Sequence, residues 1–365
     1  MDSGDLDRLL ILLAELDGSD LHLKAGAPPR MRIAGALKTL DDEPRFTAEE
    51  TDQLAASIMA PGVLETFRKH HEVDFAYSIP GVGRFRVNAF YQRSSVALAM
   101  RRVRASAATI GELGLPDVVR RLAEEHRGLV LVTGPTGSGK STSLAAMINH
   151  INHTRECHII TIEDPVEYLH RDDLAAIDQR EVGFDTDTFG SAMRVVLRQD
   201  PDVILVGEMR DVETVSAALT AAETGHLVLS TLHTIDATET IARVVDFFPP
   251  HQQNQVRASL GGSLRGTIAQ RLVRRADGHG RLPAVEVMLA NGRIRECIED
   301  MERTADIAQI VAEGAYYGMQ TFDQSLASHL ERGLITLDEA LESATNPHDL
   351  RVSLERRGLV KTGHG

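Results

Sequence analysis

The sequence has 365 residues, too many for one ordinary globular domain, and its 42% hydrophobic and 25% charged residues are too polar for a membrane protein. The longest apolar run, residues 9–14, is far below the roughly 20 residues of a bilayer span. No secretion signal opens the chain, so we expect a cytoplasmic protein. Its net charge of −14 disfavours nucleic acid as the main partner. Cys157 and Cys297 lack CxxC spacing, so we expect neither a disulfide framework nor a zinc site.

Residues 1–104 have the pattern of a mixed α+β domain. Apolar residues there recur first at helical spacing and then at the period of two that is typical of strands, with a turn signal at Pro80-Gly81. We predict a small antiparallel sheet with helices on one face, followed by a weakly patterned linker at residues 105–115. The predicted elements are a helix at 6–16 and strands at 19–23, at 31–33 and within 75–100.

The pattern changes after the linker. Four nearly continuous apolar runs follow, each next to a helix-like segment, and such runs are typical of parallel strands that helices bury on both faces. We therefore predict an α/β nucleotide-binding core over residues 116–290. The four runs are 129–132, 159–162, 203–206 and 227–229.

The remaining residues, 291–365, predict a helical C-terminal region that frays after about Leu354. As a helix, the segment 293–300 places Ile294 and Ile298 at positions i and i+4 on one face. Such an apolar stripe fits either a helix packed into the core or a docking surface for another protein. The other predicted helices lie at 304–312, 321–332 and 337–344.

The strongest chemical signal is Gly134-Pro-Thr-Gly-Ser-Gly-Lys-Ser141, which matches GxxxxGK[ST] between a predicted strand and a predicted helix. In such a P-loop, glycines let backbone N–H groups face phosphate oxygens, and the helix N-terminus adds its dipole. Lys140, the only lysine between residues 70 and 360, is expected to bridge the outer phosphates, and Ser141 to bind Mg²⁺. The alternative is a glycine-rich turn without a ligand. The candidate nucleotide-binding residues here are Gly134, Thr136, Gly137, Ser138, Gly139, Lys140, Ser141 and Thr142.

Two further predicted strands end in carboxylates. One leads to Glu208, and another leads to Glu163 and Asp164 before Pro165. Because parallel strands end together at one edge of a sheet, we expect Glu163, Glu208 and the P-loop to converge. Glu208 is the predicted general base or water-positioning group. The alternatives are a place near a helix cap for Glu208 and a solvated acidic turn at Glu163.

Two histidines flank the run at 227–229. The same edge argument places His233 toward the γ-phosphate, where a hydrogen bond could sense that phosphate and pass the signal to a helix beginning near Asp236. A histidine at a strand end can also be a structural residue, and for His226 the pattern does not decide between the two interpretations.

Four sequence elements in one order resemble the Walker A, Asp-box, Walker B and His-box elements of secretion-superfamily ATPases. Further similarity in SDLHL (19–23), RFRVNAF (84–90) and GMQTFDQSL (318–326) extends over nearly the whole chain, and it is greatest to the type IV pilus retraction ATPases of the PilT family. The four elements are GPTGSGKST (134–142), ITIEDPVEY (160–168), RQDPDVILVGEMRD (198–211) and TAAETGHLVLSTLHT (220–234).

The resemblance implies a PAS-like N-terminal domain, a RecA-like ATPase domain, and ATP with Mg²⁺ as ligands. It also implies a ring of six identical subunits at the inner face of the cytoplasmic membrane, beneath an inner-membrane pilus platform protein. A paralogous pilus ATPase is a further candidate partner. Glu163 and Glu208 match the family's active-site acids, with Glu208 as the base, and His226 and His233 match its His-box. Arg101 matches an arginine that reaches the nucleotide, although a solvated basic strand is an equal alternative.

One segment departs from the family. Its box Ala-Ile-Arg-Asn-Leu-Ile-Arg-Glu, implied to be needed for retraction beyond ATP hydrolysis, is here Arg293-Ile-Arg-Glu-Cys-Ile-Glu-Asp300, with an acid at the later arginine. The leading hypothesis is a retraction motor. A pilus-assembly or secretion ATPase is one alternative, which the lack of a long N-terminal extension and of a four-cysteine zinc insertion disfavours. A weakly hydrolysing regulatory subunit is the other, which the altered box favours and intact Lys140 and Glu208 oppose.

Overall fold

The computed structural model describes residues 3–104 and 107–360, which divide into two compact units. Unit 1 contains the described residues up to 104 together with Glu167–Leu169. Unit 2 contains the described residues from Ala107 to Val166 and from His170 onward. Within these two ranges, every helix is too short or too polar to cross a membrane.

Unit 1 combines helices with an antiparallel sheet, as the sequence predicts. Its elements are α1 (Ser3–Glu15), β1 (Asp20–Lys24), β2 (Arg30–Ile33), β3 (Ala36–Thr39), α2 (Ala48–Ile58), α3 (Pro61–His70), β4 (Glu72–Ile79), β5 (Gly83–Gln92) and β6 (Ser95–Arg102). The strands described form one sheet in the order β3-β2-β1-β6-β5-β4. All the predicted elements are present, and β3, α2 and α3 are additional.

The core of unit 1 lies where α1 meets the sheet. Four leucines of α1 that recur every three or four positions are buried, and alternate residues of β5 are buried beside them. The leucines are Leu6, Leu9, Leu10 and Leu13. Thr47 and Glu50 form a reciprocal capping box that sets the start of α2. Unit 1 therefore has one apolar core shared by its helices and its sheet.

Unit 2 is an α/β unit around a mainly parallel sheet. Its elements up to residue 289 are α4 (Asp117–Ala123), β7 (Gly128–Thr133), α5 (Lys140–Thr154), β8 (His158–Glu163), β9 (Ala176–Glu181), α6 (Phe189–Val196), β10 (Val203–Val206), α7 (Val212–Glu223), β11 (Leu227–Leu232), α8 (Ala237–Asp246), α9 (Pro250–Ser263), β12 (Leu264–Arg274) and β13 (Arg281–Leu289). The sheet order among the described strands is β13-β12-β7-β11-β10-β8-β9. Only the β12–β13 pair in it is antiparallel.

Apolar cores cover both faces of this sheet. Leu129 and Leu131 of β7 belong to one core, whereas Val130 and Val132 belong to the other. The four predicted strands are confirmed, and burial on both faces explains their continuous apolar sequence. The sequence pattern does not predict β9, β12 and β13, because polar residues interrupt the apolar pattern of each strand.

The predicted linker at 105–115 differs from the structure. Residues 105 and 106 lie outside the described residues, and 107–115 belong to unit 2. Ile110 and Leu115 are buried in one of its two apolar cores. These apolar side chains, spaced among small and polar residues, attach the segment to unit 2.

The C-terminal region of unit 2 is helical, as predicted. It contains α10 (Gly292–Glu299), α11 (Ile307–Glu313), α12 (Phe322–Glu331), α13 (Leu337–Ser343) and α14 (Pro347–Arg356), with 3₁₀ turns at Met301–Asp306 and Gly314–Tyr317. The helix predicted at 304–312 is a 3₁₀ turn in its first part. The sequence pattern predicts that the chain frays after about Leu354. In the structure α14 continues to Arg356, Leu359 and Val360 pack partly buried against an apolar core, and residues 361–365 lie outside the described residues.

Helix α10 settles the two interpretations of segment 293–300. Ile294 and Ile298 are fully buried in the core of unit 2, together with Cys297. Arg295 donates to Glu299 at 2.7 Å on the exposed side of the helix. The docking interpretation of this apolar stripe is therefore wrong, and the core-packing interpretation is correct.

Candidate nucleotide-binding site

The P-loop has the context that its sequence predicts. Strand β7 is buried along its whole length and leads through residues 134–139 into α5, which begins at Lys140. Gly134, Gly137 and Gly139 have φ angles of 137°, 80° and 92°, a conformation that residues with a Cβ rarely adopt. The strand, loop and helix thus place backbone amides and a helix N-terminus at the carboxyl end of β7.

Lys140 folds back across the loop. Its Nζ donates to the carbonyl oxygens of Gly134 at 2.8 Å and Pro135 at 3.2 Å. It also lies 3.5 Å from Nδ1 of His233. The ammonium group is therefore held at the P-loop and next to the residue that follows β11.

Glu208 is the centre of the polar contacts beside this lysine. One carboxylate oxygen, Oε1, lies 3.0 Å from Nε2 of His233, and the other, Oε2, accepts from Nε of Arg210 at 2.8 Å. Arg210 also contacts Asp164 at 3.4 Å. The hydrogen bond to Glu208 and the nearby charges of Glu208 and Asp164 raise the pKa of Arg210. Lys140, His233, Glu208, Arg210 and Asp164 thus form one connected set.

The order of contacts fixes the tautomer of a neutral His233. A lysine ammonium can only donate, so Nδ1 of His233 must accept from Lys140. The proton then resides on Nε2, which faces Glu208. His233 therefore links the P-loop lysine directly to the predicted base.

Glu163 lies at the same edge of the sheet. It ends β8, and the strand residues Ile162, Val206 and Ser230 pair side by side just before this edge. Its Oε1 accepts from Oγ1 of Thr161 at 2.7 Å and from the side-chain amide of Gln179 at 3.1 Å. The carboxyl ends of β7, β8 and β10 thus lie at one edge of the sheet, as predicted, and the convergence of Glu163 itself with Glu208 and the P-loop remains a prediction.

The alternative interpretation of Glu208 fails on its side-chain contacts. Asp211 is the N-cap of α7 and accepts from the backbone N–H of Thr214 at 2.8 Å. The Glu208 carboxylate instead contacts His233 and Arg210. Glu208 thus belongs to the site rather than to the cap.

The comparisons with known proteins agree with this geometry. Residues 73–317 match the family described as type II/IV secretion system protein. The chain is 44% identical to the type IV pilus retraction ATPase PilT of Pseudomonas aeruginosa, over 94% of this chain and 99% of that protein. It is 41% identical to the type IV pilus ATPase PilU of the same organism, over 96% of this chain and 91% of that protein. A crystal structure of the pilus retraction motor PilT with bound ADP superposes with a TM-score of 0.85 at 48% identity, covering 95% of this chain and 98% of that one.

The chain belongs to the PilT family of type II/IV secretion ATPases. Its α/β fold, with an N-terminal unit before the ATPase unit, matches that of the family.

The other His-box histidine of this PilT-family chain, His226, does not reach the nucleotide-binding site. His226 precedes β11, so the length of that strand, about 20 Å at roughly 3.3 Å per residue, separates it from His233. Its Nδ1 lies 3.0 Å from the carbonyl oxygen of Ala221 and 3.3 Å from Oγ1 of Thr224. A catalytic role for His226 in the pocket of its own chain is therefore not supported, because it lies at the opposite edge of the sheet.

Arg101, which the resemblance matches to a nucleotide-contacting arginine, lies in β6 of unit 1. Its Nε donates to Asp20 on the neighbouring strand β1 at 2.8 Å, and its side chain is 70% exposed. These contacts fit the solvated basic strand that the sequence also allowed, and its role toward nucleotide remains a prediction.

Sequence reasoning missed three residues of the site. Arg210 follows Glu208 by two positions, so its place beside the Walker B acid was the one available signal. Gln179 and Gln270 come from β9 and β12, two strands that the sequence pattern does not predict. Nothing in their local sequence distinguishes them from surface glutamines.

A half-buried acid, Glu286 of β13, supports the helix that follows His233. Its Oε1 accepts from the backbone N–H of Ala237 at the start of α8, 2.9 Å away. Burial raises its pKa from 4.5 to about 7, and Asp236 and Asp323 add to this against Arg271. A carboxyl group whose pKa rises on folding weakens the fold as pH increases from its unfolded to its folded pKa.

We expect Glu286→Gln to stabilise the protein at pH 8 by about 1–3 kcal/mol. The neutral amide retains the acceptor for Ala237 and removes the buried charge, so the gain should disappear below about pH 4.5, where both side chains are uncharged. Denaturant unfolding at several pH values measures the effect. Glu331→Gln, at an exposed glutamate of α12, is the control. A gain independent of pH would contradict the argument.

Proposed function

We propose that this PilT-family ATPase is a motor that retracts a type IV pilus by hydrolysing ATP. The observation that supports this proposal most directly is the 44% identity to the retraction ATPase PilT across 94% of the chain. The connected side chains at the P-loop support it, since a lysine, a histidine and a carboxylate contact one another in turn beside the loop that would hold the outer phosphates.

The residues present fit ATP and Mg²⁺. Gly134 and Gly139, at the two ends of the P-loop, lie too close to Gln270 to carry a Cβ, so the loop keeps the tight backbone turn that this type of phosphate-binding loop needs. Within the described structure, the hydroxyl of Ser138 is buried without a hydrogen-bond partner, in a loop of the type that binds phosphate. Lys140 and the amides of the loop, from Gly134 to Thr142, would hold the phosphates, and the exposed Ser141 would hold Mg²⁺. The metal would neutralise charge on the phosphates.

The roles of the other site residues follow from their contacts. Glu208 would orient and deprotonate the attacking water, because its carboxylate lies beside the P-loop lysine through His233. His233 would respond to the γ-phosphate, since a phosphate that engages Lys140 changes the partner of Nδ1. Glu163 would complete the acidic edge, held by Thr161 and Gln179.

The assembly is part of the proposal. A homo-hexamer, a PAS-like fold for unit 1 and a RecA-like fold for unit 2 are implied by the family resemblance, as is an inner-membrane pilus platform protein as partner at the cytoplasmic face of the membrane. Arg101 would reach the nucleotide of its own or a neighbouring subunit. Light scattering with and without ATP tests the assembly, and a strict monomer at micromolar concentration in both states would contradict it.

A second candidate is an accessory pilus ATPase that assists a separate motor. The observation that favours it is the segment 293–300, which has an acid, Glu299, where the family box has its later arginine. The intact set of Lys140, His233 and Glu208 favours the motor.

Deleting the gene in its host and counting surface pili tests the proposal. Extra pili that do not retract support a retraction motor, and bald cells indicate an assembly ATPase instead. Normal retraction in the deletion strain would indicate that another ATPase is the motor.

A further inference from the structure

Gln270, a residue of β12, is buried directly beneath the P-loop. Its side chain is only 2% exposed. The preceding residue, Ala269, pairs with Thr133, the last residue of the strand that leads into the loop. Gln270 is therefore placed at the point where the P-loop begins, on a neighbouring strand that the motif itself does not include.

The side-chain amide of Gln270 joins the loop to the helix that follows it. Its Nε2 donates to the carbonyl oxygen of Ser138 at 2.7 Å, and its Oε1 accepts from the hydroxyl of Ser143 in α5 at 2.7 Å. A carbonyl can only accept, so the contact with Ser138 fixes the orientation of the amide. Both hydrogen bonds are buried, where a lost partner is costly.

The glycines of the motif are adapted to this residue. A Cβ on Gly134 would lie 2.3 Å from the backbone oxygen of Gln270, and one on Gly139 would lie 2.8 Å from its Nε2. Gly134 and Gly139, the two ends of the loop, therefore lie so close to Gln270 that a residue with a Cβ would not fit at either position.

The bond to Ser138 also orients the next amide. The peptide between Ser138 and Gly139 is trans, so its N–H points away from its C=O. With the Ser138 carbonyl held by Gln270, the N–H of Gly139 points away from β12. Backbone N–H groups of such a loop are the ligands of the phosphates.

We propose that Gln270 is a positioning residue that holds the Ser138–Gly139 peptide in its phosphate-binding orientation before nucleotide arrives. Without it, the free loop would populate several orientations of this peptide. The apparent affinity falls by the fraction of molecules that remain competent, whereas the bound state is unchanged. The proposal rests on nucleotide binding at the P-loop and does not depend on the direction of pilus movement.

The test compares Gln270→Leu with the parent by titrating a fluorescent ADP analogue and by steady-state ATP hydrolysis. We expect the dissociation constant and KM to rise about tenfold, as for a loop that is competent in about one molecule of ten, with kcat within about twofold. Ser143→Ala removes only the bond at Oε1 and leaves the Ser138 carbonyl held, so its affinity should fall by about twofold or less.

The control is Gln320→Leu. Gln320 also donates its side-chain amide to a backbone carbonyl of unit 2, that of Val285 at 2.9 Å, so its loss should lower thermal stability without changing nucleotide affinity. If Gln270→Leu loses stability in the same way but binds nucleotide like the parent, the proposal is wrong. If it does not fold, Gln270→Met replaces it, because a methionine side chain has a similar size and cannot donate a hydrogen bond to the Ser138 carbonyl. Parent-like affinity in that variant would also overturn the proposal, whereas a parent protein that binds no ADP would refute the proposed function instead.

Discussion

Glu208→Gln is expected to bind ATP with nearly the parent affinity and to lose at least about 100-fold in hydrolysis rate, the lower end of what a general base contributes. In the proposed site the phosphate contacts would come from Lys140 and the loop, which the substitution does not change. The amide retains the size of the carboxylate and can still accept from Arg210, but it cannot take a proton from water. Nucleotide titration and phosphate release measure the two halves of this prediction separately.

Glu223→Gln, at an exposed acid in the last turn of α7, is the matched control and should hydrolyse ATP like the parent. Near-normal ATP turnover in Glu208→Gln would contradict the assignment of Glu208 as the general base. The base would then be Glu163, whose carboxylate lies at the same edge of the sheet and is held by Thr161 and Gln179. Glu163→Gln would be the next variant to measure.

The sequence was sufficient for the part of the site that parallel strands present at their ends. Glu163, Glu208 and His233 each follow a continuous apolar run, and the sheet brings such positions together whatever the intervening loops do. The P-loop was predictable for a related reason, since its glycines respond to local backbone geometry.

The residues that support these groups could not be predicted in the same way. Gln270 and Gln179 act across the sheet from strands whose own sequences are mixed, so no local pattern reports their partners. The error at Ile294 and Ile298 has the same origin. Helical spacing predicts an apolar stripe, but whether the stripe is covered depends on residues distant in the sequence.

The second large effect is expected for Lys140→Ala, which should lose at least about 100-fold in affinity for ADP and ATP. The substitution removes a positive side chain that contacts the carbonyl oxygens of Gly134 and Pro135 in the P-loop, so the outer phosphates would lose their proposed charged partner. Thermal unfolding provides the measurement. At a nucleotide concentration of about 100 times the parent dissociation constant, the parent gains about 2.7 kcal/mol of stability, and the variant should gain less than about 0.5 kcal/mol.

Lys69→Ala, at an exposed lysine in the last turn of α3, controls for the loss of one positive charge and should retain the full gain from nucleotide. The two lysines differ in what surrounds the ammonium group. Water solvates Lys69, whereas Lys140 is held over the P-loop and within 3.5 Å of His233. If Lys140→Ala still gains the parent's stability from nucleotide, the backbone amides alone hold the phosphates. Lys140 could then not transmit the presence of the γ-phosphate to His233, and the proposed response of His233 would also be wrong.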